Sequence, residues 1–221
     1  MARRGQRFHP IGSGAATLRR PARATLAIAA RAREVALYPV PMAIRFYVGH
    51  GASGSAASMA GHVKGLIERG VDARAIDLPL KKAEDAVPAF RAIVPDRPAA
   101  PGADGLPIGV GGQSYGGRVA SLAAAEPETD YAALVLFSFP LHPPGAPGKA
   151  DERTAHFPAI RCPVLFLSGD ADPFARVDLL RTRIALLRDA ELVTYPRLGH
   201  TLKPVLSDAL DRAAAFLLAR G

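Results

Sequence analysis

Cysteine is almost absent from this 221-residue sequence, which contains a single one, Cys162. One thiol excludes an intrachain disulfide and a metal site built from several cysteines. Cys162 stands in an apolar setting before Pro163, and such a lone thiol suits a reducing cytoplasm. Long apolar runs are lacking too. No stretch reaches the roughly 18 apolar residues of a membrane span, and the run at 26–30 is too short for a secretory signal.

Acidic residues are missing from residues 1–33, which contain eight arginines. The other 20 basic residues balance the 20 acidic ones, so the net charge of +8 belongs to this segment. Its composition fits a transit peptide, a basic arm that binds nucleic acid or anionic lipid, or a mobile or mis-started terminus, and we favour the last. We therefore predict one folded domain over 34–221, with no nucleic-acid partner.

Short apolar runs alternate with helical patterns from about residue 35. The runs predict strands at 43–48, 71–78, 108–111, 133–139, 163–169 and 191–195, with a weaker candidate at 33–40. Helical spacing predicts helices at 55–69, 83–93, 115–125, 176–188 and 205–219. Strands joined by helical crossovers form a parallel sheet with helices on both faces, so the predicted fold class is α/β. The chemistry of such sheets gathers in the loops that follow the strands.

One serine, Ser114, lies between two pairs of glycines in GGQSYGG, after a predicted strand and before a predicted helix. A nucleophile elbow has this G-x-S-x-G pattern, because its strained turn leaves no room for side chains two positions either side of the serine. A glycine-rich turn that binds phosphate is the alternative. The stretch lacks the lysine of a phosphate loop and the G-x-G-x-x-G spacing of a dinucleotide loop. The pattern therefore favours an elbow.

A serine hydroxyl needs a base to take its proton and a carboxylate to orient that base. His200 is our candidate base, since it follows the last predicted strand, and His142 is the reserve. Asp172, in GDADPF after the strand at 163–169, is the candidate carboxylate. We expect the neighbouring Asp170 to bond backbone donors instead.

The other histidines have weaker claims to catalysis. His50 follows the first predicted strand, where we expect it to hold the next loop. His62 falls within a predicted helix, His156 lies in a loop where a surface role is expected, and His9 is in the basic segment.

Acyl transfer also requires backbone donors for the developing oxyanion. The glycine-rich GHGASGS at 49–55 follows the first predicted strand, so the N–H groups of Ala52 and Tyr115 are the expected pair. An ordinary strand-to-helix turn is the alternative for this loop. Four loop residues are weaker candidates for substrate contacts: Leu141, His142, Phe174 and Leu202.

The chain resembles the small dienelactone-hydrolase-like α/β hydrolases over about 40–220. The resemblance lies in five stretches: GHGASGS, GGQSYGGRVAS, FPLHPPG, GDADPF and LGH. They are most similar to the branch with testis-expressed hydrolase-like proteins and a histone-acetyltransferase subunit. The order Ser114, Asp172, His200 is also that of α/β hydrolases. The resemblance implies an open sheet without a large cap domain, and a serine where true dienelactone hydrolases have a cysteine.

These features predict a serine hydrolase that cleaves a small ester or related acyl compound. The chemistry needs only side chains and water, so we expect no metal and no organic cofactor. Thioesterase or peptidase activity would use the same mechanism. A non-catalytic interaction module with a hydrolase fold is the alternative from another class.

Overall fold

The computed structural model describes residues 42–98 and 105–221. Within these residues, six strands form one sheet in the order β2-β1-β3-β4-β5-β6, and all neighbouring strands are parallel. Their bounds are β1 Arg45–Gly49, β2 Asp72–Ile76, β3 Ile108–Gln113, β4 Ala133–Phe137, β5 Val164–Gly169 and β6 Ala190–Tyr195. The candidate strand at 33–40 and the proposed domain boundary at residue 33 lie outside the described residues.

The helices are α1 Ala60–Ile67, α2 Ala83–Ile93, α3 Tyr115–Ala124, α4 Ala150–Thr154, α5 Val177–Ile184 and α6 Leu206–Leu218. Short 3₁₀ turns lie at Ala56–Met59, Pro147–Lys149, Phe157–Ala159 and Lys203–Val205. The helix predicted at 55–69 therefore begins as a 3₁₀ turn, and the one predicted at 176–188 is shorter by several residues. Within the described part of the chain, no helix has the length and apolar character to cross a bilayer.

Both faces of the sheet are covered, which explains why β4 is apolar at every position. Leu134 and Leu136 belong to a buried cluster with residues of α2, α3 and α5. Val135 and Phe137 belong to a second cluster with residues of α1 and α6. The prediction of an α/β fold with helices on both faces is confirmed.

The parallel strands gather four loops at one edge of the sheet. The chain passes from β1 outward to β2 and then returns to place β3 on the other side of β1. Such a reversal opens a crevice beyond the carboxyl ends of the strands. The loops after β1, β3, β5 and β6 carry Ala52, Ser114, Asp172 and His200. Only short helical elements lie between β4 and β5, so residues 42–98 and 105–221 contain no large cap domain, as predicted.

Candidate active site

Ser114 occupies a strained turn between β3 and α3. Its backbone has φ 50° and ψ −111°, in a region that non-glycine residues rarely adopt. Two hydrogen bonds hold the turn in place. The Ser114 N–H donates to the carbonyl of Phe137 (2.9 Å), and the Ser114 carbonyl accepts from the N–H of Arg118 (3.0 Å). The sheet and the first turn of α3 thus present the serine side chain at the carboxyl edge.

Close backbone packing explains the glycines on either side of Ser114. A Cβ atom on Gly112 would lie 2.7 Å from the carbonyl oxygen of Gly49, and one on Gly116 would lie 2.5 Å from the same oxygen. Both distances are shorter than real Cβ contacts. The N–H of Gly116 also donates to the carbonyl of His50 (2.9 Å). The elbow therefore packs directly on the end of β1.

Replacing Gly116 with alanine is expected to destabilise the fold by about 1–3 kcal/mol, because the added methyl group meets the backbone of β1. The sign is informative, since alanine is ordinarily favoured over glycine in a helix by up to about 1 kcal/mol. Urea unfolding measures the effect. Gly148→Ala is the matched control, because a Cβ there meets no atom within 4 Å. Equal unfolding midpoints for the two variants would contradict this packing.

His200 bridges Ser114 and Asp172. Its Nε2 atom lies 2.7 Å from Ser114 Oγ, and its Nδ1 atom lies 2.8 Å from Asp172 Oδ2. A carboxylate can only accept, so Nδ1–H is assigned as the donor to Asp172. Nε2 is then free to accept the Ser114 hydroxyl proton. Ser114 and Asp172 are 86 and 28 positions away from His200 in the sequence, yet both form hydrogen bonds with its ring.

Asp172 is buried, with 3% of its surface exposed. Its second oxygen, Oδ1, accepts the backbone N–H of Phe174 (2.8 Å). Both carboxylate oxygens therefore have partners, as a buried charge requires. This arrangement fixes the side chain in the orientation that faces His200.

The loop after β5 is tied to the loop that carries His200. Asp170 Oδ1 accepts the N–H of Arg197 (2.6 Å), and the N–H of Ala171 donates to the carbonyl of Leu198 (3.0 Å). Arg197 has φ 62°, a left-handed conformation. Asp170 thus accepts a hydrogen bond from a backbone N–H, in agreement with the interpretation from the sequence. Among the described residues, it forms no hydrogen bond with His200.

A cavity of about 450 Å³ opens beside Ser114 and is also lined by Ala52, Tyr115 and Phe174. The Phe174 ring packs on the His200 imidazole, with the ring centres 4.4 Å apart. The N–H groups of Ala52 and Tyr115 donate to no acceptor among residues 42–98 and 105–221. The Tyr115 amide belongs to the first turn of α3, where the helix dipole favours negative charge.

His50 holds the loop that contains Ala52. It is buried, and its Nε2 atom accepts the N–H of Leu78 (3.0 Å). Nδ1 is then the protonated nitrogen and donates to the carbonyl of Gly51 (2.8 Å). Both ring nitrogens have structural partners, in agreement with the structural role expected from the sequence.

Three of the four predicted substrate contacts are buried: Leu141, His142 and Leu202. Leu141 is fully buried in the core with the α2 and α3 residues. His142 is also buried, its Nδ1–H donating to the Pro143 carbonyl (2.9 Å) and its Nε2 accepting the N–H of Arg176 (3.1 Å). Those bonds also remove His142 as the reserve base. Leu202 lines a separate cavity of about 320 Å³.

The other titratable groups considered from the sequence are largely buried and do not take part in the hydrogen bonds around Ser114. Burial lowers the pKa of His62 to about 4, and the ring packs edge-on against Phe137. Burial likewise lowers the pKa of His156 to about 4, and its Nε2 lies 2.9 Å from Ser121 Oγ. The surface role expected for His156 is therefore wrong. Burial raises the pKa of Cys162 to about 12, so its thiol is protonated at neutral pH and is a poor nucleophile.

Several charged residues line the cavity beside Ser114 and were not predicted: Lys81, Lys82, Glu84, Arg118, Lys149, Glu152 and Arg153. Arg118 carried a usable signal, because it follows Ser114 by four residues and so lies one helical turn farther along α3. No motif marks the others. They reach the cavity from the β2–α2 loop, from the first turn of α2 and from the short elements between β4 and β5.

The family model for the alpha/beta hydrolase domain matches residues 48–217, which is most of the chain. The chain belongs to the alpha/beta hydrolase family. The resemblance drawn from the glycine-rich and acidic loops is thereby confirmed at family level. No curated protein sequence matches the chain.

Solved alpha/beta hydrolase structures share the fold at low identity. A monoacylglycerol lipase of Paleococcus ferrophilus is 14% identical with a TM-score of 0.68, over 83% of this chain and 97% of the lipase. A dienelactone hydrolase of Anabaena variabilis is 20% identical with a TM-score of 0.63, over 82% of this chain and 88% of that hydrolase. Est1E of Butyrivibrio proteoclasticus, with ferulic acid bound, is 18% identical with a TM-score of 0.64, over 80% of this chain and 89% of Est1E.

Proposed function

We propose that the protein is a serine hydrolase that cleaves a small ester or related acyl substrate. Ser114 is the nucleophile, His200 the general base and acid, and Asp172 the group that orients the imidazole and stabilises its protonated form. The Ala52 and Tyr115 amides stabilise the oxyanion. The observation that carries the proposal is the line of hydrogen bonds from Ser114 Oγ to His200 and on to Asp172 (2.7 and 2.8 Å).

The reaction proceeds in two halves. Ser114 Oγ attacks the acyl carbon while His200 Nε2 takes the hydroxyl proton, and the carbonyl electron pair moves onto oxygen. The tetrahedral intermediate collapses, the bond to the leaving group breaks, and His200 returns the proton to the departing oxygen. Water then attacks the acyl-enzyme with His200 again as base, which releases the acid and restores Ser114.

The comparisons support an ester as the substrate class. Two of the solved structures with this fold are named as a monoacylglycerol lipase and a dienelactone hydrolase, and both names describe ester cleavage. The open cavity beside Ser114 suits a small-molecule acyl substrate. We also propose a cytoplasmic location, because a reducing compartment keeps the single thiol of Cys162 free.

A fluorophosphonate titration and an ester assay test this proposal on the purified chain. We expect one phosphonate to bind per chain and to abolish hydrolysis of p-nitrophenyl butyrate in proportion to labelling. Matched thioester and peptide substrates then distinguish esterase, thioesterase and peptidase activity. A chain that neither reacts with the phosphonate nor turns over any of these substrates would favour the non-catalytic interaction module.

A further inference from the structure

The wall of the cavity beside Ser114 carries more positive than negative charge. Five cationic side chains line it, against two carboxylates. The cations are Lys81, Lys82, Arg118, Lys149 and Arg153, and the carboxylates are Glu84 and Glu152. The cavity thus has a formal surplus of positive charge, although the basic and acidic residues outside 1–33 balance.

Both carboxylates are already paired with cations of the same wall. Glu84 contacts the guanidinium of Arg118, whose Nη1 also donates to the carbonyl of Arg153 (2.9 Å). Partial burial alone would raise the pKa of Glu84, but hydrogen bonds from its own backbone and from Arg118 lower it below its usual value. Glu152 Oε2 accepts from Lys149 Nζ (3.0 Å). Each carboxylate thus has one direct cationic partner, and both also lie near enough to Arg153 to raise its pKa.

Three cations of the wall form no direct salt bridge with a carboxylate in the described part of the chain: Lys81, Lys82 and Arg153. Arg153 is only partly exposed, and its Nη1 donates to the carbonyl of Pro140 (2.9 Å). Burial and the nearby Arg118 guanidinium lower the pKa of Arg153 more than Glu84 and Glu152 raise it, yet an arginine stays charged in proteins. A partly buried guanidinium beside another one is a position that an incoming anion would stabilise.

We propose that the substrate carries a phosphate-type dianion on the part that occupies this cavity, and this inference rests on the proposed function. A carboxylate would neutralise one charge, whereas a phosphate brings close to two charges and several acceptor oxygens. The planar arginine fork and the compact lysine ammonium groups both suit phosphate oxygens. A cavity of about 450 Å³ has room for a small acyl group with a small phosphorylated leaving group.

Three phenyl acetates with different substituents test the charge preference: 4-acetoxyphenyl phosphate, 4-acetoxybenzoate and the neutral 4-acetoxybenzamide. Each kcat/KM is divided by the ester's own rate of hydroxide hydrolysis, which corrects for the leaving group. We expect the corrected kcat/KM of the phosphate to exceed that of the amide about 100-fold, with the carboxylate between them, since hydrogen bonds between charged groups are stronger than neutral ones and the dianion forms more of them. High salt should reduce the preference.

The variants Arg153→Gln and Lys81→Gln/Lys82→Gln locate the preference. We expect each to lower the ratio of phosphate to amide kcat/KM about tenfold. Arg212→Gln removes the same charge from α6, where Arg212 pairs with Asp208 outside the cavity, and should leave the ratio unchanged. An equal fall in all three variants would mean that net charge alone sets the preference, which overturns the inference.

A binding measurement separates failure of this inference from failure of the proposed function. In calorimetry, the Ser114→Ala variant should bind phenyl phosphate with a millimolar or lower Kd. Adding Arg153→Gln to that variant should weaken the binding about tenfold. Loss of ester turnover with retained phosphate binding would contradict the proposed function alone. Normal turnover of all three esters at equal corrected rates, with no phosphate binding, would show that the cations are merely solvated. If the corrected kcat/KM of the carboxylate ester equalled that of the phosphate ester, the proposed preference for a dianion would be refuted.

Discussion

Ser114→Ala is expected to lower kcat for p-nitrophenyl butyrate by about 10⁴-fold or more. The loss should appear mainly in kcat, because the hydroxyl forms its bond to substrate only during the reaction. The cavity, the Phe174 ring and the backbone amides remain, so substrate binding should change little. Initial rates over a range of substrate concentrations give kcat and KM separately.

Ser207→Ala is the matched control, since Ser207 is exposed on α6 and its hydroxyl accepts from Arg69 (3.1 Å). We expect this variant to keep the parent activity. Circular dichroism checks that both variants fold. Residual activity of Ser114→Ala within tenfold of the parent would mean that another group attacks the ester.

Asp172→Asn is expected to lower kcat by about 10⁴-fold, because it reverses the hydrogen-bond direction at His200. The asparagine carbonyl would take over the bond from the Phe174 N–H, which leaves the amide NH₂ to face Nδ1. Nδ1 must then accept, so the neutral ring carries its proton on Nε2. In that tautomer His200 cannot accept the Ser114 proton. The rate at neutral pH measures this effect, because size and packing are almost unchanged.

Asp170→Asn provides a sharp comparison two residues away. Asp170 only accepts a backbone N–H, from Arg197 (2.6 Å), and an asparagine carbonyl can accept the same bond. We expect its kcat to stay within about tenfold of the parent, in line with the loss of one charged hydrogen bond. Similar losses in the two variants would argue that Asp172 acts through loop structure and not through the imidazole.

The parts of the site that the sequence predicted are those set by local chain geometry. Gly112 and Gly116 mark a turn that only small residues permit, and the apolar run of β4 marks a strand covered on both faces. Because all strands are parallel, their loops had to meet at one edge. That topology allowed Ser114, Asp172 and His200 to be proposed as neighbours from positions far apart in the sequence.

The parts that the sequence did not predict depend on tertiary packing. Leu141 and His142 follow a strand at the correct edge, yet the proline-rich loop turns both side chains inward. His156 is drawn against Ser121 of α3 by the same crossover. Arg153 reaches the cavity from a five-residue helix, α4. A single sequence has no periodic signal for such short elements, so their side-chain directions emerge only in the folded chain.

The residue that is acylated during turnover shows directly whether Ser114 is the nucleophile. The parent enzyme is mixed with p-nitrophenyl butyrate, quenched in acid within the first turnover, digested and analysed by peptide mass spectrometry. We expect a butyryl group on the peptide that contains Ser114, at up to one per chain, and none in Ser114→Ala. A butyryl group on another residue, or ester turnover with no acylated peptide at any time, would contradict this expectation.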